Sequence, residues 1–333
     1  MKSVLIIQTA FIGDVILATA LVESIRSRFP EVAIDFLLRG GNESILANHP
    51  KIRRVMVWEK RHRKFQNLST ICREVRNQRY DLVVNTHRFA SSGWITWRSG
   101  AKTTVGFDKN PLAFLFTKKV KHTIGTKAEI AFAHEIDRNH QLLGFIPDIE
   151  PKLPRLYPSK ADIESIKPYA NHTFITIAPT SVWYTKQWPS DKWIEFIKLS
   201  PLPTIIIGGP ADASVGDMIK SACPDHEVEN LAGKLTFLQS AALMARATMN
   251  YTNDSGPLHM ATAMDAPVTA IYCSTIPEFG FGPKSSVSQV VETSANLDCR
   301  PCGLHGHKAC PKGHFDCART INPEQLLDAL PKT

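Results

Sequence analysis

The sequence predicts an α/β protein built from two doubly wound domains, and three observations lead there. Runs rich in Val, Ile and Leu alternate with amphipathic stretches along nearly the whole chain. Within those runs the apolar residues are consecutive, as in strands of a parallel sheet covered on both faces by helices. A proline-rich segment at 147–160, "PDIEPKLPRLYPSK", interrupts the alternation about half-way. Proline removes backbone donors and disfavours helix, so this segment is the expected linker. At 333 residues the chain is long enough for two cores, giving domains of 1–150 and 151–333.

In the first half the expected strands are "SVLIIQ" (3–8), "AIDFLL" (33–38), "RVMVW" (54–58) and "DLVVNT" (81–86), with helices at 14–28, 42–48 and 67–78. Val15, Leu17, Ala18, Leu21, Val22 and Ile25 give the first helix its stripe, and Pro30 follows its end. After the linker the expected order is strand 173–178, helix 190–200, strand 203–207, helices 212–221 and 236–246, strand 248–252, helix 256–264 and strand 267–273. No internal repeat or low-complexity tract is evident.

The composition, 43% apolar and 21% charged, is that of a water-soluble globular protein. The apolar opening is broken by Gly13 and Asp14 and reads as strand, turn and helix rather than a secretory signal. A reducing, cytoplasmic setting is therefore expected, with the cysteines as thiols. The net charge of +8 is concentrated in "KIRRVMVWEKRHRK" (51–64) and around Lys118, Lys119, Lys121 and Lys127. Each residue alone reads as solvated surface; together they suggest an anionic partner. Aromatic residues do not interleave with them as a nucleic-acid platform needs, so no nucleic-acid partner is expected.

Ligands of open α/β sheets bind beyond the carboxyl ends of the strands, which makes strand-to-helix junctions the candidate sites. The first junction, "IIQTAFIGDVIL", lacks the three-glycine dinucleotide fingerprint and has Asp14 at the helix start. That carboxylate either caps the helix or serves as a general base. The second, "APTSVWYTKQWPS", offers Thr180, Ser181 and Lys186 to phosphate oxygens, although Pro189 and Ser190 also punctuate a helix start. The third, "NDSGPLHMATAM", places Asp254, Ser255, Gly256 and His259 at one helix N-terminus. Capping accounts for one of these residues; the combination suits a diphosphate. In "IIIGGPADAS", Gly208 and Gly209 permit close approach or turn the chain, and Asp212 either accepts from a ribose or caps.

"FIGDVILATALVESIRSRFP", "APTSVWYTKQWP", "NDSGPLHMATAMDAPVTAIY" and the terminal "CRPCGLHGHKACPKGHFDCARTINPEQLLDAL" together resemble one family along nearly the whole chain. They look like the bacterial heptosyltransferases of glycosyltransferase family 9, which build the lipopolysaccharide inner core. The tail is most similar to the heptosyltransferase II branch. The resemblance implies a GT-B fold, two Rossmann-like domains facing a central cleft, the first for the acceptor and the second for the nucleotide-sugar. It implies inverting, metal-independent transfer from ADP-heptose, with no cofactor. Asp14 would be the catalytic base and Lys186 the diphosphate's counter-charge. Thr180, Ser181, Asp254, Ser255, Gly256 and His259 match the donor site, which Gly209 and Asp212 would extend. Arg61, Arg63, Lys64 and Arg88 would receive an anionic lipopolysaccharide-core acceptor, with peripheral contact at the anionic inner face of the inner membrane.

The tail spacing C-x2-C-x7-C-x6-C (Cys299, Cys302, Cys310, Cys317), with His305, His307 and His314 nearby, has ligand types for zinc. Beyond the first pair the spacing is not that of common zinc modules. Reduced cysteines packing the C-terminal lobe, or disulfides formed opportunistically after purification, are the expectation, and no metal is assigned. A nicotinamide enzyme or nucleotide-sugar epimerase would need a glycine-rich first turn or a Tyr-x-x-x-Lys pair, and neither is evident. The remaining alternatives are a same-fold transferase using another nucleotide-sugar and a catalytically silent nucleotide- or glycan-binding protein.

Overall fold

The computed structural model describes residues 1–60, 62–124 and 134–330. They divide into two compact units, the first ending at Tyr157 and the second beginning at Pro158. Arg61 and Lys127 lie outside the described residues.

The first unit comprises β1 (Ser3–Ile7), α1 (Ile12–Arg28), β2 (Ala33–Arg39), β3 (Arg54–Trp58), α2 (Lys64–Asn77), β4 (Leu82–Asn85), α3 (Ala90–Arg98), β5 (Thr103–Phe107), β6 (Lys118–Val120) and α4 (Glu135–Gln141). All strand pairs are parallel, in the order β3-β2-β1-β4-β5-β6. Val4, Leu5, Ile6 and Ile7 are fully buried, as a central strand covered on both faces requires. α1 is buried from Val15 to Ile25 because α4 packs against it and the proline-rich segment is strapped along it. The strap is held by backbone N–H bonds from Lys152 to Ser24 Oγ (3.0 Å) and from Arg155 to Thr19 Oγ1 (3.1 Å), and by Tyr157 Oη donating to Glu23 (2.8 Å). Up to Tyr157 the expected linker is thus part of the first unit.

The sequence reading missed β5, β6, α3 and α4. Gly106 interrupts the apolar run of β5, and a Cβ there would come within 2.6 Å of the Phe116 ring. β6 is an edge strand whose lysines, Lys118 and Lys119, are exposed. Charged edges of this kind block pairing with other chains. The two basic clusters therefore lie by opposite edges of the sheet, at β3 and β6. The helix expected at 42–48 is a single 3₁₀ turn, Glu43–Leu46.

The second unit comprises α5 (Lys160–Ile166), β7 (Ile175–Ala178), α6 (Ser190–Leu199), β8 (Thr204–Ile206), α7 (Ala213–Ser221), β9 (Val228–Asn230), α8 (Phe237–Met244), β10 (Met249–Asn253), α9 (Gly256–Met264), β11 (Val268–Tyr272), β12 (Ser288–Glu292), α10 (Asp316–Arg319) and α11 (Pro323–Leu327). Its parallel sheet runs β12-β11-β10-β7-β8-β9. Both sheets follow one rule: the first strand sits centrally, two strands lie on one side, and the next three on the other. Each consequently has one switch point, β1/β4 in the first unit and β7/β10 in the second, where successive connections leave in opposite directions and open a crevice. Trp188, Trp193, Phe196, Tyr251 and Cys273 centre the second core, which also takes in Phe315 and Cys317 from the tail, with Cys310 packed against it. The seven cysteines are free thiols.

Candidate active site

At the first switch point the loop after β1 meets the loop after β4. Thr9 Oγ1 and His87 Nδ1 are 2.8 Å apart, and Lys60 Nζ donates to Thr9 O at 2.8 Å while lying 4.5 Å from the Trp58 ring centroid. Burial lowers Lys60 to about 8, helped by repulsion from Arg39 and Lys64. His87 is lowered to about 3 by burial and then by Lys60, Arg88 and Arg39, so it is neutral at physiological pH. These mutual shifts mark a concentration of positive charge around one crevice.

Asp14 is linked to this cluster through Arg88, whose charge acts on both Asp14 and His87. It stands in the first turn of α1, half-buried, and Phe11 at the N-cap offers no side-chain cap. Burial pushes Asp14 up to about 7, and the Glu135 carboxylate adds to the rise. Hydrogen bonds from the backbone of Phe11 and of Asp14 itself, and the charge of Arg88, act in the opposite direction. The carboxylate therefore does some capping, yet it has the proton affinity of a base poised near neutrality. Glu135 is held by Arg138 at 2.8 Å in a buried pair on α4.

Arg88, exposed after β4, lies within electrostatic range of Asp14. Arg63 is the exposed N-cap of α2, in a left-handed conformation, and Lys64 is that helix's first residue, also exposed. Both follow β3, two strands from β1. Sequence reasoning passed over Lys60, Arg39 and His87. The signal for Lys60 was available, since it stands two residues past the end of β3 within the basic run.

At the second switch point, Asn253 ties the loop after β7 to the end of β10. Its Nδ2 donates to Ala178 O (3.2 Å) and its Oδ1 accepts from Trp188 N (2.9 Å). Lys186 Nζ lies 2.5 Å from Asp254 Oδ2, and Thr275 Oγ1 donates to the same oxygen at 2.7 Å. Asp254 is consumed by these bonds and caps nothing. Ser255, at the N-cap of α9, makes no capping bond either; its Oγ donates to Asn253 O at 3.3 Å. Pro257 occupies the first turn, where it needs no donor. The turn thus brings an ammonium fixed by a buried carboxylate next to a helix N-terminus that no side chain caps, a constellation suited to an anion.

Thr180 and Ser181 follow β7, half-buried, with Ser181 O accepting from Gln187 Nε2 at 2.7 Å. His259 is buried in the first turns of α9, its ring 6.1 Å from that of Phe281. Asp212 caps: its Oδ2 accepts from Gly209 N at 2.7 Å. Gly208 has no room for a side chain, because a Cβ would lie 2.9 Å from Asp212 Cβ.

The tail contributes what the sequence did not disclose. Thr185 N donates to His307 O (3.1 Å), His307 N to Thr185 Oγ1 (2.7 Å), and Cys302 N to Ser274 O (2.8 Å). A Cβ on Gly306 would approach Thr185 Oγ1 to 2.9 Å and Lys186 Cγ to 3.3 Å. Arg300 binds the carbonyls of Tyr272, Cys273 and Thr275 and pairs with Glu292 at 2.6 Å, fixing the strand end that carries Thr275. Cys299 Sγ lies 3.9 Å from His314 Nε2. Among the described residues no three His, Cys, Asp or Glu side chains are placed to hold a metal.

Residues 69–309 match the model of glycosyltransferase family 9 (heptosyltransferase). The chain belongs to that family. It is 24% identical to lipooligosaccharide heptosyltransferase 2 of Haemophilus influenzae, over 98% of both chains. It is also 24% identical to lipopolysaccharide heptosyltransferase 1 of Pseudomonas aeruginosa, over 90% of this chain and 85% of the relative. Identity alone therefore does not separate the family's branches. Among solved structures, Escherichia coli ADP-heptose lps heptosyltransferase II superposes with a TM-score of 0.78 at 20% identity, covering 99% of this chain and 97% of that one. E. coli heptosyltransferase WaaC with ADP gives 0.74 at 18% identity, covering 98% of each. The fold is GT-B, and the protein is a glycosyltransferase of the heptosyltransferase family. Among the described residues no helix is long and apolar enough to cross a membrane.

Proposed function

We propose that this family 9 enzyme transfers the heptose of ADP-heptose to a hydroxyl of the lipopolysaccharide inner core, with inversion and without a metal. The observation that carries the reading is the Lys186–Asp254 pair beside the uncapped N-terminus of α9. An ammonium and first-turn N–H groups supply the positive potential that a departing diphosphate needs, in the place where a transferase otherwise uses a divalent cation. Asp254 orients the ammonium; Thr180, Ser181 and Ser255 offer hydroxyls to the phosphates, and Gly209 and Asp212 border the donor. The related WaaC structure carries ADP, which supports the adenine nucleotide.

Asp14 takes the acceptor proton while the oxygen attacks the anomeric carbon opposite ADP, through an oxocarbenium-like state. Its proton affinity near 7 makes it a stronger base than an ordinary carboxylate, while a useful fraction stays ionised. Arg63, Lys64, Arg88 and Arg61, joined by Lys60, receive the acceptor's anionic groups. Within the family we assign the chain to the heptosyltransferase II branch; full-length coverage of the Haemophilus influenzae relative supports this. The enzyme would work at the cytoplasmic face of the inner membrane.

The test is ADP release from ADP-heptose with a lipid A–Kdo acceptor and with one already carrying heptose, each with and without EDTA. Release with the heptose-bearing acceptor, unchanged by EDTA, is expected. Loss of activity on chelation would overturn metal independence. ADP binding without turnover would favour a silent binding protein, and turnover of UDP- or GDP-sugars alone would overturn the donor.

A further inference from the structure

We propose that the α2–α3 face of the first unit docks onto the headgroup layer of a bilayer containing acidic phospholipid; the proposal rests on the reading of the acceptor as an anionic lipid-linked sugar. α2 and α3 pack against each other on one side of the sheet. A groove of about 600 Å³ runs along them, lined by Phe65, Leu68, Arg73, Arg76, Trp94 and Arg98 among others. No acidic side chain lines it. Glu74, the one acid in the two helices, pairs with Arg54 at 3.1 Å.

The rim carries aromatic rings that a face kept in water has no reason to display. Phe65 is 81% exposed, Trp94 42% and Trp97 40%. The two indoles lie 5.0 Å apart, with the Arg98 guanidinium 5.7 Å from the Trp97 ring. Indoles have an apolar body and a polar N–H, and they settle at the boundary between headgroups and acyl chains. Guanidinium groups grip phosphate oxygens in pairs, and clustered arginines near an anionic leaflet add their attractions. Charge complementarity thus selects an acidic membrane surface as the occupant.

The location supports the same occupant. The groove starts at Phe65, directly after Arg63 and Lys64 at the mouth of the proposed acceptor site, and follows α2, a helix roughly 21 Å long. A glycolipid lying in the leaflet would present its sugars to that mouth while its acyl chains stayed in the bilayer beneath the groove.

The experiment is co-sedimentation of the full chain with vesicles of phosphatidylcholine alone and of phosphatidylcholine with phosphatidylglycerol. Binding to the acidic vesicles is expected. The triple variant Arg73→Ala, Arg76→Ala, Arg98→Ala should weaken it by about 100-fold. Bromine-labelled acyl chains should quench the wild-type indole fluorescence. Of the other four indoles, Trp58, Trp188 and Trp193 are at most 1% exposed and Trp183, in the second unit, is partly exposed, so most of the quenching should be lost in Trp94→Phe, Trp97→Phe, with Trp183 alone left to report. Transfer to an acceptor stripped of acyl chains should be equal in wild type and variants, which shows the variants folded. Failure of that transfer in the wild type would strike the function reading and leave the vesicle result standing. Equal binding to both vesicle types, acidic-vesicle binding that survives the triple variant, or absence of quenching would overturn the docking surface, including in favour of an acidic protein partner.

Discussion

Replacing Asp14 with asparagine should make the enzyme nearly inactive and more stable at once, with the two effects linked through pH. Asparagine keeps the shape and the backbone bonds near Phe11 and removes the ionisable group. The fold raises this carboxyl from 3.8 to about 7, chiefly by burial. Its protonated form is therefore the one the fold prefers. The penalty is absent below the unfolded-chain value, grows as the pH rises, and is complete above about 7. A rise of that size corresponds to roughly 4 kcal/mol. Because the half-buried side chain keeps some solvent, about 2 kcal/mol is the expected gain. Urea unfolding should show that gain near pH 8 and less than half of it near pH 5, and thermal unfolding a rise of about 4–8 °C near pH 8. Transfer should fall by roughly 10³-fold, as for loss of a general base. In the wild type kcat/KM should climb tenfold per pH unit up to about 7 and then level, while the variant's residual rate stays flat. ADP affinity should not change. A variant within tenfold of wild-type rate, or a stability gain independent of pH, would refute the assignment of Asp14 as a buried, poised base.

Three further substitutions probe the proposed donor site. Lys186→Ala leaves the buried Asp254 carboxylate, among the described residues, with the Thr275 hydroxyl and no cation, so a loss of about 3 kcal/mol in urea unfolding is expected. ADP affinity by calorimetry should fall ten- to hundredfold, roughly the worth of one charge-assisted contact, and unchanged affinity would remove Lys186 from the phosphate site. Gly306→Ala should displace the Lys186 turn and weaken ADP binding, since its Cβ meets Thr185 and Lys186. Gly303→Ala, at a similar φ of +74° but with nothing nearer than 3.9 Å, should lose comparable stability and bind ADP normally.

Much of the fold was legible because the strands next to each switch point are apolar throughout, and unbroken runs such as "VLII" and "LVV" announce themselves. The elements that escaped lie farther out or lack that signature: β6 is mostly lysine, β12 is largely exposed, and β5 carries a glycine for the sake of Phe116. Asp14 and the Asp254–Gly256 turn could be singled out as candidates because polar residues at a strand end need a reason. Lys186 was singled out at a different junction, the loop after β7. Asp254 could not be recognised as the residue that fixes it, because that pairing joins two strands distant in sequence. The choice between cap and ribose contact at Asp212 depended on a 2.7 Å bond that spacing does not encode. His87 stayed hidden because its character comes from being crowded together with cations, Lys60 among them, whereas Lys60 itself stood in the basic run and was passed over.

The bond between His307 and Thr185 closes over 122 residues of chain. A ribosome adding about 5–20 residues per second needs roughly 6–24 s to travel that distance. Throughout that interval the loop carrying Lys186 has emerged without the segment that braces it, so the nascent polypeptide can mature its first Rossmann layer well before that loop is fixed. With the donor site as proposed, competence arrives late in synthesis, and a message truncated before codon 300 would yield the first unit together with a Lys186 loop without that brace.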